Sequence, residues 1–227
     1  MLISVKTGQA LRPPKAVLFD LDGTLVDTAD DLGAALNHVL QKHGMPPVAA
    51  EQYRPMASHG AKGLLELGFG PALHNFPFTI LRNELLDFYQ QHLTVHSKLF
   101  GGADDFLPQL AQRQIPWGIV TNKPYKLAAA MLRQMTGMEA CQILLGGDSL
   151  HQRKPSPVPL WVAAHKIGVA AADCWYIGDA ERDIEAANRA GMTSIIADYG
   201  FIGAADEPDL WFADCRVQSL LSLLPAL

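Results

Sequence analysis

Short apolar runs that end abruptly at a polar residue recur along this chain. The first is Ala-Val-Leu-Phe, which ends at Asp20. An apolar run with no polar alternation is typical of a strand that is buried on both faces. Runs of this kind lie at residues 16–19, 117–120, 174–177 and 193–197. The pattern therefore predicts four buried strands.

Helical patterns lie between these strands. Residues 125–135 and 184–190 carry apolar residues at helical spacing, and Gly191 is placed to cap the second helix. Strands that alternate with helices predict a parallel sheet with helices packed on it. The predicted fold class is therefore α/β, with a doubly wound parallel sheet of the Rossmann-like kind.

Residues 28–96 break this alternation, because they carry helical signals and no convincing strand. Leucines recur at helical spacing after Thr28, and a second apolar face runs through residues 80–93. We expect a small helical domain at residues 28–96, inserted into a core formed by residues 16–27 and 97–227. Residues 1–15 are short apolar pieces broken by prolines and charges, and they predict a loose N-terminal leader.

Acidic residues are concentrated in one short window. The chain has 227 residues and a formal net charge of −5, and the twelve residues 20–31 alone sum to −5. Elsewhere acids and bases balance, 18 against 18. Because the chain has no basic run, we do not expect it to bind nucleic acid or an anionic membrane through bulk electrostatics.

The cysteines carry information about the compartment. Cys141, Cys174 and Cys215 lie far apart and form no CxxC pair, which argues against a zinc cluster and a disulfide framework. No window of the leader approaches the ~20 apolar residues that a membrane helix needs. These features predict a cytoplasmic protein, either a monomer or a homodimer.

Two pairs of aspartates lie at the ends of predicted strands. Asp20 and Asp22 follow the first strand, and Asp179 and Asp183 follow the third. Open α/β sheets place their ligand sites at such strand ends. Carboxylates this close repel one another unless a cation lies between them, and an all-oxygen set favours Mg²⁺. Taken alone, Asp183 is equally consistent with an acidic residue in the first turn of a helix.

A hydroxyl and a lysine lie near the remaining strand ends. Thr121 and Asn122 follow the second strand just before Pro124, a residue suited to begin a helix. A hydroxyl beside free N–H groups at a helix N-terminus can bind an anion, although helix capping without a ligand explains the same residues. Lys154 precedes Pro155 and could hold a fixed positive charge over the site. A surface lysine is the ordinary alternative.

The order of these segments resembles the haloacid dehalogenase-like hydrolase superfamily. The signature consists of DLDGT at residues 20–24, Thr121 after a strand, Lys154 before a proline, and GDAERD at residues 178–183. The helical insert is similar to the small helical cap of that superfamily. Residues 58–61 and 120–124 are similar to its phosphoglycolate phosphatase branch, and residues 96–100 with 120–124 to phosphatases of N-acetylmuramic acid 6-phosphate.

The resemblance implies a role for each matching residue. Asp20 would be the nucleophile that forms an aspartyl-phosphate, and Asp22 would protonate the leaving alkoxide and then activate water. The phosphoryl group would be held by Thr121, by the N–H groups of Asn122 and by Lys154. The implied Mg²⁺ ligands are Asp20, the backbone carbonyl of Asp22, Asp179 and, directly or through water, Asp183.

The expected function is that of a Mg²⁺-dependent phosphatase for a small organic monophosphate, 2-phosphoglycolate first among them. Alternatives are N-acetylmuramic acid 6-phosphate, another sugar phosphate, a phosphomutase reaction and, more remotely, a catalytically idle binding protein. A dehalogenase of this superfamily is not expected to keep an aspartate two residues after the nucleophile, so Asp22 argues against that activity. Four cap residues are expected to contact substrate, although ordinary chemistry of a helix N-terminus explains them too. They are Ser58, His59, Gly60 and Lys62.

Overall fold

A six-stranded parallel sheet forms the centre of the molecule. In the computed structural model, which describes residues 2–227, the chain forms these strands: β1 (Ala16–Phe19), β2 (Val26–Asp27), β3 (Lys98–Leu99), β4 (Trp117–Val120), β5 (Leu144–Leu145), β6 (Cys174–Gly178), β7 (Thr193–Ala197) and β8 (Cys215–Val217). The sheet has the order β5-β4-β1-β6-β7-β8, and β2 and β3 form a separate antiparallel pair. Strand β1 therefore lies between β4 and β6.

Helices cover both faces of the sheet. They are α1 (Ala29–Lys42), α2 (Ala50–Tyr53), α3 (Gly60–Phe69), α4 (Phe78–Gln91), α5 (Ala103–Gln112), α6 (Tyr125–Leu132), α7 (Val158–Ile167) and α8 (Glu181–Ala190). Phe19 of β1 is buried in one cluster with Phe106 of α5, whereas its neighbour Leu18 is buried in another with Leu160 of α7. Successive strand residues point to opposite faces, so α5 and α7 lie on opposite sides of the sheet. The predicted doubly wound α/β fold is confirmed.

Four of the strands are those that the apolar runs predict. They are β1, β4, β6 and β7. Gly191 ends α8 with a φ of 74°, as the predicted C-cap requires. The sequence does not predict β5 and β8, which have two and three residues, because runs this short carry too little pattern. Helix α6 ends at Leu132, three residues earlier than predicted.

The predicted helical insert consists of α1 to α4, which pack on one another. Helix α1 contacts both α3 and α4, and the side chains buried among them include Leu36, Leu64 and Leu85. Each of these leucines lies on the apolar face of its own helix, so the three helices turn their apolar faces towards one another. These side chains belong to the same buried cluster as Phe19 and Phe106, so the apolar packing of the insert continues into the core of the sheet.

The chain leaves the sheet and returns to it at neighbouring points. Strands β2 and β3 pair with each other at the base of the insert. The carboxylate of Asp31 accepts hydrogen bonds from the backbone N–H groups of His96 and Ser97, both at 2.9 Å. The outgoing and returning segments therefore lie side by side, as an insert requires. Its boundaries at residues 28 and 96 stay a prediction.

The N-terminal segment is held against the core, which differs from the loose leader that its composition suggests. Lys6 Nζ lies 2.8 Å from a carboxylate oxygen of Asp214. Leu11 is buried, and the backbone carbonyl of Arg12 accepts a hydrogen bond from the indole N–H of Trp175 at 3.0 Å. Single long-range contacts of this kind leave no periodic pattern in the sequence. Within residues 2–227, no helix has the length and apolar character that crossing a membrane requires.

Candidate active site

Three neighbouring strands of the sheet end at one place. Asp20 follows β1, Thr121 follows β4, and Asp179 lies just beyond β6. Because β1 pairs in register with both of the other strands, their last residues reach the same edge of the sheet. This carboxyl edge is where open α/β sheets bind ligands.

Three aspartates form a compact and buried cluster at this edge. One carboxylate oxygen from each of Asp20, Asp179 and Asp183 lies within 4.8 Å of the others, and each residue is at most 3% exposed. Gly23 comes so close that a Cβ atom at this position would clash with the carboxylate of Asp179. Such closely spaced carboxylates need a positive charge, and an all-oxygen donor set fits a hard divalent cation.

Lys154 supplies a buried positive charge to this cluster. Its Nζ lies 2.9 Å from Oδ1 of Asp20 and 2.6 Å from Oδ1 of Asp183. It also donates a hydrogen bond to the hydroxyl of Tyr176 at 2.8 Å, and that hydroxyl donates to the carbonyl of Val120 at 2.7 Å. An ammonium has three N–H groups, so each has a partner here and the group is held in one position.

The protonation of the cluster follows from burial and from the charges around it. Burial works to raise the pKa of Asp20, but Lys154 and Arg182 outweigh it, so this pKa lies below its ordinary value. Burial raises the pKa of Asp183, and Lys154 offsets that only in part. Burial, together with the charges of Asp183 and Asp20, raises the pKa of Asp179 to about 7. The three carboxylates thus face two cations, Lys154 and Arg182, and the negative charge of Asp179 is the least offset by them.

Asp22 lies beside this cluster and has partners of its own. Its Oδ1 accepts hydrogen bonds from Nζ of Lys123 and from the hydroxyl of Thr28, both at 2.8 Å. Lys123 also donates to the hydroxyl of Tyr89 on α4 at 2.8 Å. Burial works to lower the pKa of Lys123, but the charge of Asp22 and the hydrogen bonds to Asp22 and Tyr89 outweigh it and raise that pKa. Lys123 is therefore an ammonium in this site.

The 3₁₀ turn before α3, Ala57–His59, reaches the cluster through Ser58. Its hydroxyl donates a hydrogen bond to Oδ2 of Asp179 at 2.7 Å, and its carbonyl accepts one from Nη2 of Arg182 at 2.6 Å. A cavity of about 180 Å³ opens at this contact, and its lining includes His59 and Phe201. The cavity thus lies between the helical insert and the carboxyl edge of the sheet.

Comparison with known proteins supplies the family. Residues 17–197 match the haloacid dehalogenase-like hydrolase family. The chain belongs to this family. A phosphoglycolate phosphatase of Xanthomonas campestris pv. campestris (strain 8004) is 45% identical over 208 residues, which cover 92% of this chain and 94% of that protein. The family resemblance seen in the sequence is therefore confirmed.

Two further comparisons bear on this haloacid dehalogenase-like hydrolase. An N-acetylmuramic acid 6-phosphate phosphatase of Pseudomonas aeruginosa is 36% identical over 213 residues, which cover 94% of each chain. A crystal structure described as a predicted phosphoglycolate phosphatase from Haemophilus somnus has a TM-score of 0.84 at 25% identity. It covers 93% of this chain and 96% of that one. The fold is thus shared over nearly the whole length.

Most residues of the family signature come together in the structure. Asp20, Asp179, Asp183 and Lys154 lie in one network, as described above. Thr121 is buried and its hydroxyl accepts a hydrogen bond from the N–H of Lys123 at 3.1 Å. Asn122 points its side-chain amide at the carbonyl of Lys154, to which it donates at 2.9 Å. The catalytic and binding roles of these residues stay predictions.

The cap residues named from the sequence fall into two groups. Ser58 and His59 line the cavity at the edge of the sheet, and Gly60 follows them at the start of α3 with a φ of 63°. Lys62 is exposed instead, and its nearest carboxylate is that of Glu66, one turn further along α3 at 3.7 Å. The structure therefore does not bring Lys62 to the candidate site.

Several side chains lie in the site although the sequence does not predict them there. They are Lys123, Tyr89, Tyr176, Arg182 and the hydroxyl of Thr28. Thr28 has the signature of an N-cap, yet its side chain makes no capping hydrogen bond and donates to Asp22 instead. Lys123 is only two residues from Thr121, and this closeness to the end of β4 could have predicted that it lies in the site. Tyr89 lies in a helical apolar face, where a tyrosine gives no sign of its partner.

Proposed function

We propose that this protein is a Mg²⁺-dependent phosphatase that hydrolyses a small organic monophosphate. The observation that carries the proposal is the position of Asp20. It lies at the end of β1, within reach of two further carboxylates and fixed by the ammonium of Lys154. A carboxylate held ionised beside a cation site is suited to attack phosphorus.

In the proposed reaction, Asp20 attacks the phosphorus atom while the bond to the leaving-group oxygen breaks. Asp22 gives its proton to that oxygen, and an aspartyl-phosphate remains on Asp20. Asp22 then takes a proton from the water that attacks this intermediate, so phosphate leaves and both carboxyl groups return to their first states. The lowered pKa of Asp20 supports its role, because only the carboxylate is nucleophilic.

The residues around the aspartates would offset the negative charge of the carboxylates and of the phosphoryl group. Lys154 offsets the negative charge of Asp20 and of the incoming phosphoryl group, and Thr121 would hold a phosphoryl oxygen. Asp20, Asp179 and Asp183, with the backbone carbonyl of Asp22, would hold Mg²⁺, as the compact oxygen donor set supports. When bound, Mg²⁺ supplies positive charge opposite the carboxylates and the phosphoryl oxygens.

We propose 2-phosphoglycolate as the first candidate substrate. The relative with 45% identity is named a phosphoglycolate phosphatase. Ser58 and His59 line the cavity of about 180 Å³ together with Asp179, which places two residues of the insert beside a proposed metal ligand. Ser58 and His59 would then close over a short leaving group, and residues 28–96 would act as the cap.

N-acetylmuramic acid 6-phosphate is the second candidate. The relative that is named for this substrate has 36% identity. A second cavity of about 450 Å³ shares Phe201 with the first and extends along Tyr199 and Arg54. An amino sugar would need this additional space. That the enzyme works in the cytoplasm, as a monomer or a homodimer, stays a prediction.

A panel of phosphate esters tests the proposal. We expect hydrolysis to require Mg²⁺, and kcat/KM to be highest for 2-phosphoglycolate among that ester, N-acetylmuramic acid 6-phosphate, a hexose 6-phosphate and 4-nitrophenyl phosphate. We expect mass spectrometry to detect a phosphoenzyme in the wild type, and Asp20→Asn should abolish both turnover and this phosphoenzyme. Activity that survives in Asp20→Asn contradicts the nucleophile, and conversion of a sugar phosphate into its isomer contradicts the phosphatase.

A further inference from the structure

Lys123 forms a contact between the sheet and the helical insert that the family signature does not explain. It follows β4, is 8% exposed, and lies 2.8 Å from Oδ1 of Asp22. Its other partner is Tyr89 of α4, which is 1% exposed and receives a hydrogen bond at 2.8 Å. The ammonium also lies 4.4 Å from the centroid of the Tyr89 ring. One buried cation thus joins Asp22 to a helix of the insert.

Such an arrangement is costly unless its contacts are specific. An ammonium taken out of water loses several kcal/mol of hydration that only well-placed partners restore. Here the partners are a carboxylate, a phenol oxygen and a ring face, each with good geometry. A leucine at this position would fill the space at the end of β4 without that cost. The presence of a lysine at this position therefore indicates that its contact with Asp22 has a role beyond filling space.

Both side-chain donors on Asp22 bond to the same oxygen. Lys123, which follows β4, and Thr28, which precedes α1, each donate to Oδ1 at 2.8 Å. Within residues 2–227, no donor reaches Oδ2 of this carboxyl group. A carboxyl group held by two bonds to one oxygen cannot rotate freely. Its second oxygen is thereby kept available in a fixed direction.

We propose that Lys123 is a positioning residue that, together with Tyr89, orients Asp22 for proton transfer to the leaving-group oxygen. The proposal rests on the proposed phosphatase function. As the phosphorus–oxygen bond of the substrate breaks, the proton on Oδ2 of Asp22 passes to the departing oxygen. In the second step, water gives a proton back to Oδ2. Because Tyr89 belongs to α4, this orientation is complete only when the insert is seated on the core.

The leaving group separates this role from a purely structural one. An alkoxide is a poor leaving group and needs the proton, whereas 4-nitrophenolate leaves without it. The ratio kcat/KM covers the steps up to and including cleavage of the phosphorus–oxygen bond. A loss of orientation at Asp22 should therefore lower kcat/KM for an alkyl phosphate and spare it for 4-nitrophenyl phosphate. A loose or misfolded site would lower both.

The test compares three variants on two substrates, 4-nitrophenyl phosphate and the alkyl phosphate that the wild type hydrolyses best. For Lys123→Met we expect kcat/KM to fall about 100-fold on the alkyl ester and less than about threefold on the aryl ester. For Tyr89→Phe, which removes one hydroxyl, we expect a loss of about threefold to tenfold on the alkyl ester alone. Lys126→Met, at an exposed position on α6, is the matched control and should match the wild type.

Each outcome decides between the possibilities. Equal losses on the two esters in Lys123→Met and Tyr89→Phe would overturn the positioning role. If Lys123→Met does not fold, Tyr89→Phe alone decides, because its ring still fills the same space. In an Asp22→Asn background, Lys123→Met should cause no further loss on the alkyl ester. A wild type that hydrolyses neither ester contradicts the proposed function itself, which is a separate result.

Discussion

Two buried lysines at the same edge of the sheet have the same kinds of partner but different surroundings. Lys154 contacts two carboxylates and the hydroxyl of Tyr176, a residue of β6 in the centre of the sheet. Lys123 contacts one carboxylate and the hydroxyl of Tyr89, a residue of α4 in the helical insert. The direct partners of Lys154 all belong to the core. Those of Lys123 belong partly to the core and partly to the insert.

The two networks also differ in charge. Lys154 lies among carboxylates that outnumber the cations, and burial together with that surplus raises the pKa of Asp179. Among the carboxyl groups of residues 2–227, Lys123 contacts that of Asp22 alone. A surplus of negative charge attracts a metal ion, whereas one ammonium bound to a single carboxyl group fixes the direction of that group. We therefore expect substitutions in the first network to affect folding and metal binding, and substitutions in the second to affect proton transfer.

Replacement of Lys154 should have the largest effect. In Lys154→Met the carboxylates of Asp20 and Asp183 lose their shared ammonium while both remain buried. Leaving a buried charge without its partner costs about 3–5 kcal/mol, and loss of the charge at the phosphoryl site should lower kcat about 1,000-fold or more. Urea denaturation and steady-state kinetics measure the two effects.

The matched control is Lys15→Met. Lys15 forms an ion pair with Asp173 at 2.8 Å, but its side chain is 71% exposed. Exposed ion pairs contribute little to stability, so this variant should unfold at the same urea concentration as the wild type. We expect Lys123→Met to lower the free energy of unfolding less than Lys154→Met does. Equal losses in the two variants would contradict the difference between the two lysine networks.

The sequence predicts Asp20, Asp183 and Lys154 of the first network but not its tyrosine, whereas of the second it predicts only Asp22, for a physical reason. Asp20, Thr121 and Asp179 each follow a buried apolar run, and the register of a parallel sheet brings such strand ends together whatever the loops do. Tyr89 meets Lys123 only because α4 packs on α1 at a particular angle and depth. Helix packing of this kind leaves no local signal in the sequence.

The cap residues show the same limit. The sequence names residues 58–61 as a segment near the site, and the structure places Ser58 in contact with Asp179. Lys62 is only four residues further on, yet one turn of helix carries it to the exposed side of α3. Proximity in sequence identifies the segment that approaches the site. Which of its side chains face the site depends on where the helix begins.

The affinity for Mg²⁺ should depend on pH in the Lys154 network. Burial, followed by the charges of Asp183 and Asp20, raises the pKa of Asp179 to about 7, so protons compete with the metal for this carboxylate below that pH. Metal binding requires the deprotonated ligand, and we expect the association constant to fall about tenfold per pH unit below about pH 6 and to level off above about pH 8. Isothermal titration calorimetry measures this without substrate.

Two variants sharpen that measurement. The hydroxyl of Ser58 lowers the pKa of Asp179 by its hydrogen bond, so Ser58→Ala should move the profile towards higher pH. Lys123→Met should leave the profile unchanged, because Lys123 is paired with Asp22 and not with the cluster. An affinity for Mg²⁺ that is constant from about pH 5 to pH 9 in the wild type contradicts the role of Asp179 as a proton-sensitive ligand.

The two tyrosines give the smallest and most selective effects, since each can lose its hydroxyl and keep its ring. In Tyr176→Phe the buried carbonyl of Val120 loses its donor, which costs about 1–3 kcal/mol. Tyr89→Phe removes one hydrogen bond to Lys123 and keeps the ring beside the ammonium, so about 0.5–1.5 kcal/mol is expected. Tyr176→Phe should thus unfold at lower urea with an unchanged ratio of kcat/KM between the alkyl and aryl esters. Tyr89→Phe should change the ratio of kcat/KM between the two esters and lose less stability than Tyr176→Phe. If both variants change this ratio to the same extent, the two lysine networks act as one.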